Sequence, residues 1–82
     1  MIIIYGTRGC GFCKMAVEKC KKFRLDYEYK DIGIKKWYLE YSSVKRNNTD
    51  VPHIFKDEEY IGNYKDFVEY IQESIINAMA KV

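Results

Sequence analysis

Two cysteines, Cys10 and Cys13, lie three residues apart between an apolar run and a stretch with helical periodicity. The run is short and β-branched, as in a buried strand, so the pair lies where a strand passes into a helix. Unpaired N–H groups and the positive dipole end at a helix start stabilise a thiolate. The spacing places Cys13 one turn further along the same helix face. The pattern predicts a redox pair, with Cys10 as the exposed nucleophile and Cys13 beneath it.

Length and composition limit the classes of protein that can carry this pair. The chain has 82 residues, 48% of them hydrophobic, which is enough for a single domain spanning 1–82. The net charge of +2 gives no reason to expect a nucleic-acid partner. No signal peptide or membrane-spanning run is visible, so we expect a cytoplasmic protein without membrane contact. In that compartment a C-x-x-C pair is more often catalytic or metal-binding than structural.

The charge is unevenly distributed along the chain. Residues 1–46 hold 11 lysines and arginines against 5 acidic residues, whereas residues 47–82 hold 3 against 7. Two interpretations are open for the basic excess: a solvated helix face, which is the commoner case, or a field that steers anionic substrates toward Cys10. Five of the basic residues belong to the first predicted helix or its end, namely Lys14, Lys19, Lys21, Lys22 and Arg24.

Hydrophobic periodicity and turn residues predict the element order β-α-β-α-β-β-α. A β-α-β unit should be parallel and right-handed, and a final hairpin antiparallel, which gives a four-stranded mixed sheet with helices on both faces. Asn63 is the predicted N-cap of the last helix, with Asp66 at its third position. The predicted elements are strands at 1–5, 25–31, 51–56 and 60–61, helices at 10–23, 34–46 and 64–79, and turns at 47–50 and 57–59.

The helical spacing also predicts which side chains face the core. Cys20 lies on the apolar stripe of the first helix, so we interpret it as a buried core residue. His53, the only histidine, is interpreted as a partly exposed strand residue without a role. The other predicted inward positions are Cys13, Ala16, Val17 and Phe23 or Arg24, then Ile34, Trp37 or Tyr38, Tyr41 and Val44, then Tyr64, Phe67, Val68, Ile71, Ile75, Ala78 and Met79.

With these motifs placed, the chain resembles the glutaredoxins, a family of the thioredoxin superfamily. Residues 10–13 (C-G-F-C) match the family's C-P-Y-C, residues 50–52 (D-V-P) its T-V-P, and residues 60–66 (Y-I-G-N-Y-K-D) its x-I-G-G-x-x-D. The order and separations fit along the whole chain. The resemblance implies a thioredoxin-like α/β fold and a glutathione-dependent thiol–disulfide oxidoreductase.

The resemblance further implies a substrate class and partners. A dithiol member reduces glutathione mixed disulfides and protein disulfides, with Cys10 and Cys13 as the catalytic pair and glutathione as reductant. We therefore expect glutathionylated or disulfide-containing proteins as partners, a monomer, and no metal cofactor. A role as electron donor to ribonucleotide reductase fits a small dithiol member, although the sequence names no client.

Four of the residues implied to bind glutathione surround the cysteine pair. Pro52 is expected to be a cis proline facing the sulfurs. Val51 is expected to pair its backbone N–H and C=O with the cysteinyl part of glutathione, as an added strand does. Arg8 and Phe12 are expected to flank the glycine end.

The remaining binding residues begin the last helix. The backbone N–H groups of Tyr64 and Lys65 are expected to hold the γ-glutamyl carboxylate, as helix N-termini hold anions. Asp66 is expected to hold the γ-glutamyl ammonium. A capping role for Asp66 in its own helix is an alternative, and the two roles are compatible.

Departures from the family pattern leave other hypotheses open. Gly11 replaces the usual proline, and with Phe12 it resembles the monothiol members that hold iron–sulfur clusters, which suggests a dimer sharing a [2Fe–2S] centre; Cys13 argues against this. A zinc site formed by Cys10, Cys13, Cys20 and His53 is a weaker alternative. A redoxin that uses no glutathione is a third, against which residues 62–66 argue. Asp50 replaces a threonine and either faces the sulfur or, more commonly for its type, turns the loop.

Overall fold

The computed structural model describes residues 1–46 and 50–80, and their element order is the predicted one. Each boundary lies within two residues of its predicted position. Residues 47–49 of the predicted turn cluster lie outside the described residues. Within the described part of the chain, no helix is long and apolar enough to span a membrane. The elements are β1 (Ile2–Gly6), α1 (Gly11–Lys22), β2 (Tyr27–Asp31), α2 (Lys35–Val44), β3 (His53–Lys56), β4 (Glu59–Gly62) and α3 (Tyr64–Ala80).

The strands form one mixed sheet in the order β2-β1-β3-β4. β1 runs parallel to β2 and antiparallel to β3, and β3 forms an antiparallel hairpin with β4. β1 is central because both of its faces are apolar, with Ile2 and Ile4 on one side and Ile3 and Tyr5 on the other. The predicted mixed four-stranded sheet is confirmed.

Helices α1 and α3 cover one face of this sheet and enclose the larger core. Phe67 of α3 and Ala16 of α1 are fully buried against Ile4 and the other core side chains. Cys20 is also fully buried here, which confirms its predicted place in the core. Burial raises the pKa of the Cys20 thiol to about 11, so this sulfur stays protonated at neutral pH.

Helix α2 covers the other face, through Tyr41. The ring of Tyr41 packs against Tyr5, and Tyr5 in turn packs against Phe55. The Tyr5 hydroxyl donates a hydrogen bond of 2.7 Å to Glu40 Oε2, and Lys30 Nζ lies 2.5 Å from the same oxygen. Because these contacts join α2 to both β1 and β2, the prediction of helices on both faces is confirmed.

Several predicted inward positions are wrong, and each lies at the end of a helix. Ile75, Ala78 and Met79 are exposed because α3, at 17 residues, is about 25 Å long and its last turns extend past a sheet of four- and five-residue strands. Ile34 is exposed because it precedes α2 as its N-cap residue. Of the alternatives Trp37 and Tyr38, the half-buried Trp37 is the one that faces inward. Phe23 is likewise a C-cap residue, partly exposed at the end of α1.

Candidate active site

Cys10 is the N-cap residue of α1, and its sulfur takes the place of a capping oxygen. The backbone N–H of Cys13 donates to Cys10 Sγ at 3.2 Å. The same sulfur lies 3.9 Å from the carbonyl oxygen of Val51, across the loop that precedes β3. Helix N-terminal N–H groups favour negative charge at this position, so the arrangement suits a thiolate nucleophile.

Cys13 lies beneath Cys10 with 1% of its surface exposed, as expected, and both thiols are free. Burial, and secondly the hydrogen bond with Cys10, raise the pKa of the Cys13 thiol to about 11. Cys13 therefore keeps its proton at neutral pH while Cys10 faces the surface. The two sulfurs therefore differ in their chemistry. Cys10 can attack or be attacked first, and Cys13 can react only after Cys10 has reacted.

Tyr29 and Gly6 form the floor under Cys13, and sequence reasoning missed both. The Tyr29 hydroxyl donates to the carbonyl oxygen of Thr7 at 3.1 Å and also interacts with the Cys13 thiol. A Cβ atom added at Gly6 would lie 2.7 Å from Cys13 Sγ and would overlap the Tyr29 hydroxyl. The available signal was the alternation of residues 25–31, which places Tyr29 on an inward face, but only the pairing of Ile4 with Tyr29 puts it beside the sulfur.

A groove of about 500 Å³ runs from Val51, whose carbonyl oxygen lies 3.9 Å from Cys10 Sγ, to the start of α3; we call it the first groove. It brings together five of the seven predicted glutathione-binding residues. The Val51–Pro52 peptide bond is cis, as the resemblance implied. The rings of Phe12 and Tyr64 stand 5.7 Å apart. The lining residues are Phe12, Asp50, Val51, Pro52, Asn63, Tyr64 and Lys65.

A reciprocal pair of hydrogen bonds closes the start of α3. Asn63 Oδ1 accepts from the Asp66 N–H at 3.0 Å, and Asp66 Oδ2 accepts from the Asn63 N–H at 3.1 Å. The predicted capping role of Asn63 is thereby confirmed, and Asp66 also has the capping role considered as an alternative. Since the cap uses the Asp66 N–H, the N–H groups of Tyr64 and Lys65 in the first turn point out of the helix without intrahelical partners.

Arg8 does not line the first groove. Its side chain is 96% exposed, and its Nε lies 3.7 Å from Asp31 Oδ2 at the end of β2. It belongs instead to the wall of a different groove that also reaches Cys10. The assignment of Arg8 to the glycine end of glutathione therefore stays a prediction, as do the roles of the other site residues.

His53 is fully buried, so its interpretation as a partly exposed residue is wrong. Its ring packs between aromatic side chains, 5.3 Å from the ring of Tyr41 and 4.7 Å from that of Tyr60. Nε2 accepts the Arg46 N–H at 3.1 Å, and Nδ1 lies 3.2 Å from the Asp50 carbonyl oxygen. Because Nε2 accepts, Nδ1 must carry the proton and donate. His53 thus ties together both described ends of the loop that leads into Val51.

We expect the stability of the protein to fall as the pH drops below about 6.5, because of His53. Burial, more than the nearby Arg46 charge, lowers the pKa of His53, so the unfolded chain binds the proton more readily than the folded one. The contribution of His53 to the free energy of unfolding is therefore fully present above the unfolded pKa. Below that pH it declines, by at most about 1.4 kcal/mol per pH unit. Denaturant unfolding at pH 7.5, 6.5 and 5.5 measures the effect.

His53→Gln is the matched control for this prediction. His53 is the only histidine, and ordinary carboxyl groups titrate below this window, so in a Cys10→Ser background, where no thiolate can form at the start of α1, the His53→Gln change should remove most of the pH dependence. A wild-type protein with equal unfolding free energy at all three pH values would contradict a buried, neutral His53.

The four side chains considered for a zinc site do not assemble. The Cys20 side chain points from α1 into the core, and both His53 ring nitrogens face backbone groups. Within residues 1–46 and 50–80, no three histidine, cysteine, aspartate or glutamate residues are grouped so that they could hold one metal ion.

Comparison with known proteins identifies the family. The sequence model of the glutaredoxin family matches residues 2–61. A glutaredoxin of Vibrio cholerae is 39% identical over 82 aligned positions, which cover 90% of this chain and 93% of that protein. Glutaredoxin 1 of Escherichia coli is 35% identical over 81 positions, covering 89% of this chain and 94% of that protein.

Two solved structures of glutaredoxins have a similar fold. The structure of reduced Escherichia coli glutaredoxin aligns with a TM-score of 0.68 at 30% identity, over 90% of this chain and 95% of that one. A buckwheat glutaredoxin–glutathione complex aligns with a TM-score of 0.69 at 15% identity, over 95% of this chain and 74% of that one. The family match, the cysteine pair at a helix start and the thioredoxin-like sheet agree, and the chain belongs to the glutaredoxin family of thiol–disulfide oxidoreductases.

Proposed function

We propose that this protein is a glutathione-dependent oxidoreductase that reduces glutathione mixed disulfides, and protein disulfides through its second cysteine. The observation that carries the proposal is the first groove, which begins where the Cys10 sulfur meets Val51 and ends at the start of α3. A glutathione attached to Cys10 would lie along it. The buckwheat relative, solved with glutathione, supports this assignment at the level of the fold.

The charges along the first groove match those of glutathione, which carries two carboxylates and one ammonium. The outward N–H groups of Tyr64 and Lys65 suit the γ-glutamyl carboxylate, as helix N-termini suit anions. Asp66, the third residue of α3, lies next to the first groove without lining it, and its carboxylate suits the adjacent ammonium. The backbone of Val51 lies just before β3 and outside the strand pairings among the described residues, so it suits the cysteinyl amide. Phe12 and Tyr64 form an apolar wall between these polar ends.

The reaction follows from the different environments of the two sulfurs. Cys10 attacks the glutathione sulfur of a mixed disulfide, and the protein thiolate leaves and takes a proton from solvent. A second glutathione then attacks the Cys10–glutathione disulfide, which releases oxidised glutathione and restores Cys10. For a protein disulfide, Cys13 resolves the intermediate on Cys10, and glutathione reduces the Cys10–Cys13 disulfide in turn.

Dependence on glutathione also bears on the cellular compartment and the partners of the protein. Glutathione as reductant places it in a reducing compartment, for which we propose the cytoplasm. We further propose that it works as a monomer on glutathionylated and disulfide-containing proteins, and ribonucleotide reductase is one client to test.

Coupled turnover of a small glutathione mixed disulfide tests the proposed function. With glutathione, glutathione reductase and NADPH, we expect rapid consumption of NADPH. The same sample with thioredoxin reductase in place of the glutathione system should be inactive. Activity in the second assay alone would identify a redoxin that does not use glutathione and would overturn the proposal.

Asp66→Asn should separate the binding role of Asp66 from its capping role. The amide keeps an oxygen that can accept the Asn63 N–H, so the unfolding free energy should change by no more than about 1 kcal/mol. Loss of the charge should raise KM for glutathione roughly tenfold, since a hydrogen bond to a charged group contributes about 1.5–3 kcal/mol. Steady-state kinetics and denaturant unfolding measure the two effects.

Glu69→Gln provides the matched control, because Glu69 is an exposed acidic residue of α3, almost one turn beyond Asp66. It should leave KM for glutathione unchanged. An Asp66→Asn variant that loses stability but keeps its KM would show that Asp66 acts only as a cap.

A further inference from the structure

A second groove reaches Cys10 from the β2 side of β1, whereas the first groove lies on its β3 side. The sheet order places β2 on one side of β1 and β3 on the other, so grooves beside β2 and beside the β3 loop diverge from Cys10. We call this cavity of about 530 Å³ the second groove. Its walls are the loop 7–9, one face of α1, and Tyr27 and Tyr29 of β2.

The second groove is elongated along α1. The groove residues Cys10, Lys14, Val17 and Lys21 recur at helical spacing and therefore share one face. From Cys10 to Lys21 this face is about 16 Å long. An extended peptide advances about 3.3 Å per residue, so about five of its residues fit between the sulfur and the far end.

Charge on the rim of the second groove is mainly positive. Lys14, Lys21 and Arg8 line it and are exposed to solvent. The opposing charges are Glu18, which also lines it, and Asp31, which lies 3.7 Å from the Arg8 Nε. The half-buried side chains of Tyr27, Tyr29 and Val17 form its apolar floor.

We propose that the second groove binds the polypeptide half of a glutathionylated protein and prefers acidic residues near the modified cysteine. The inference rests on the proposed function, because glutathione must fill the first groove for the polypeptide to leave through the second. Lys14 and Lys21 stand about 6 and 16 Å along the helix from Cys10, which corresponds to peptide positions about two and five residues from the cysteine.

The chemical step is the first half of the proposed reaction. The Cys10 sulfur forms a bond with the glutathione sulfur, and the bond between the glutathione and peptide sulfurs breaks. The electron pair stays on the peptide sulfur, which takes a proton from solvent. Two glutathione molecules per cycle end as oxidised glutathione, including the one released from the substrate, and the peptide thiol is the reduced product. When the second groove holds the acidic residues of the peptide, the leaving peptide sulfur points away from the first groove.

Three glutathionylated peptides of equal length test the preference. They carry glutamate, glutamine or lysine at the second and fifth positions on both sides of the cysteine. At low ionic strength we expect kcat/KM for the glutamate peptide to exceed that for the lysine peptide by roughly tenfold, and the ratio to decline toward one at high salt.

Two double variants of α1 with the same change in charge distinguish the groove from the overall field. Lys14→Glu with Lys21→Glu should remove or invert the preference. Lys19→Glu with Lys22→Glu should keep most of it, because those ammonium groups stand over the ring of Phe23 at 6.0 and 5.6 Å and not in the second groove. An equal loss of preference in both variants would overturn the assignment.

The remaining outcomes separate this inference from the proposed function. Equal turnover of all three peptides, with the small mixed disulfide still reduced, would overturn the groove assignment alone. No turnover of any peptide or of the small mixed disulfide would overturn both. Stronger competition by a single-stranded oligonucleotide than by a glutamate peptide of equal charge would assign the second groove to nucleic acid instead.

Discussion

Cys10→Ser is expected to reduce turnover of glutathione mixed disulfides by roughly 10³-fold or more, to the uncatalysed background. The serine hydroxyl can still cap α1 in place of the sulfur, so the variant should fold with near-native stability. The variant loses the Cys10 thiol, which is the only one of the three cysteine thiols that is not buried. The coupled assay with the small glutathione mixed disulfide measures the loss.

Cys13→Ser should behave differently, because Cys13 takes no part in attacking a glutathione mixed disulfide. Its turnover of that substrate should stay within a few-fold of wild type, whereas reduction of protein disulfides should be lost. Cys20→Ala, in the core, should keep both activities. The reverse pattern, an active Cys10→Ser and an inactive Cys13→Ser, would contradict the proposed roles of the two sulfurs.

Gly62→Ala is expected to reduce the free energy of unfolding by about 2–4 kcal/mol and to raise KM for glutathione. Gly62 has a φ of +131°, which L side chains rarely adopt, and a Cβ atom there would overlap the Asp66 carboxylate. That carboxylate accepts the Asn63 N–H, so its displacement opens the cap of α3 at the end of the first groove. Denaturant unfolding and glutathione kinetics report the two losses.

Two other glycines separate the causes of this effect. Gly9 has a φ of +78°, but no atom of the residues that the structure describes lies within 4 Å of an added Cβ, so Gly9→Ala carries only the backbone cost. Gly11 has neither constraint, and Gly11→Ala should keep or slightly increase stability. If Gly62→Ala were no less stable than Gly9→Ala, the overlap with Asp66 would have no energetic weight.

The features that sequence predicted well depend on local spacing. Cys10 and Cys13 stand at a helix start because an apolar run ends just before them, and Asn63 and Asp66 cap α3 because they are three residues apart. The cis state of Pro52 came from the family resemblance, since composition carries no such signal.

The features that sequence missed depend on strand pairing between distant segments. His53 is buried because β3 lies inside the sheet and its ring meets Tyr41 of α2 and Tyr60 of β4, none of which is adjacent in sequence. Tyr29 reaches Cys13 only because it pairs with Ile4 in the parallel register of β1 and β2. The exposed end of α3 depends on the length of the sheet relative to the helix.

Mass spectrometry of the Cys13→Ser protein after incubation with oxidised glutathione tests the central proposal most directly, namely that Cys10 carries glutathione in the first groove. The account predicts one added glutathione per chain, mapped to Cys10 by proteolysis, and its removal by reduced glutathione. An adduct on Cys20, or none on Cys10 under the same conditions, would contradict the account.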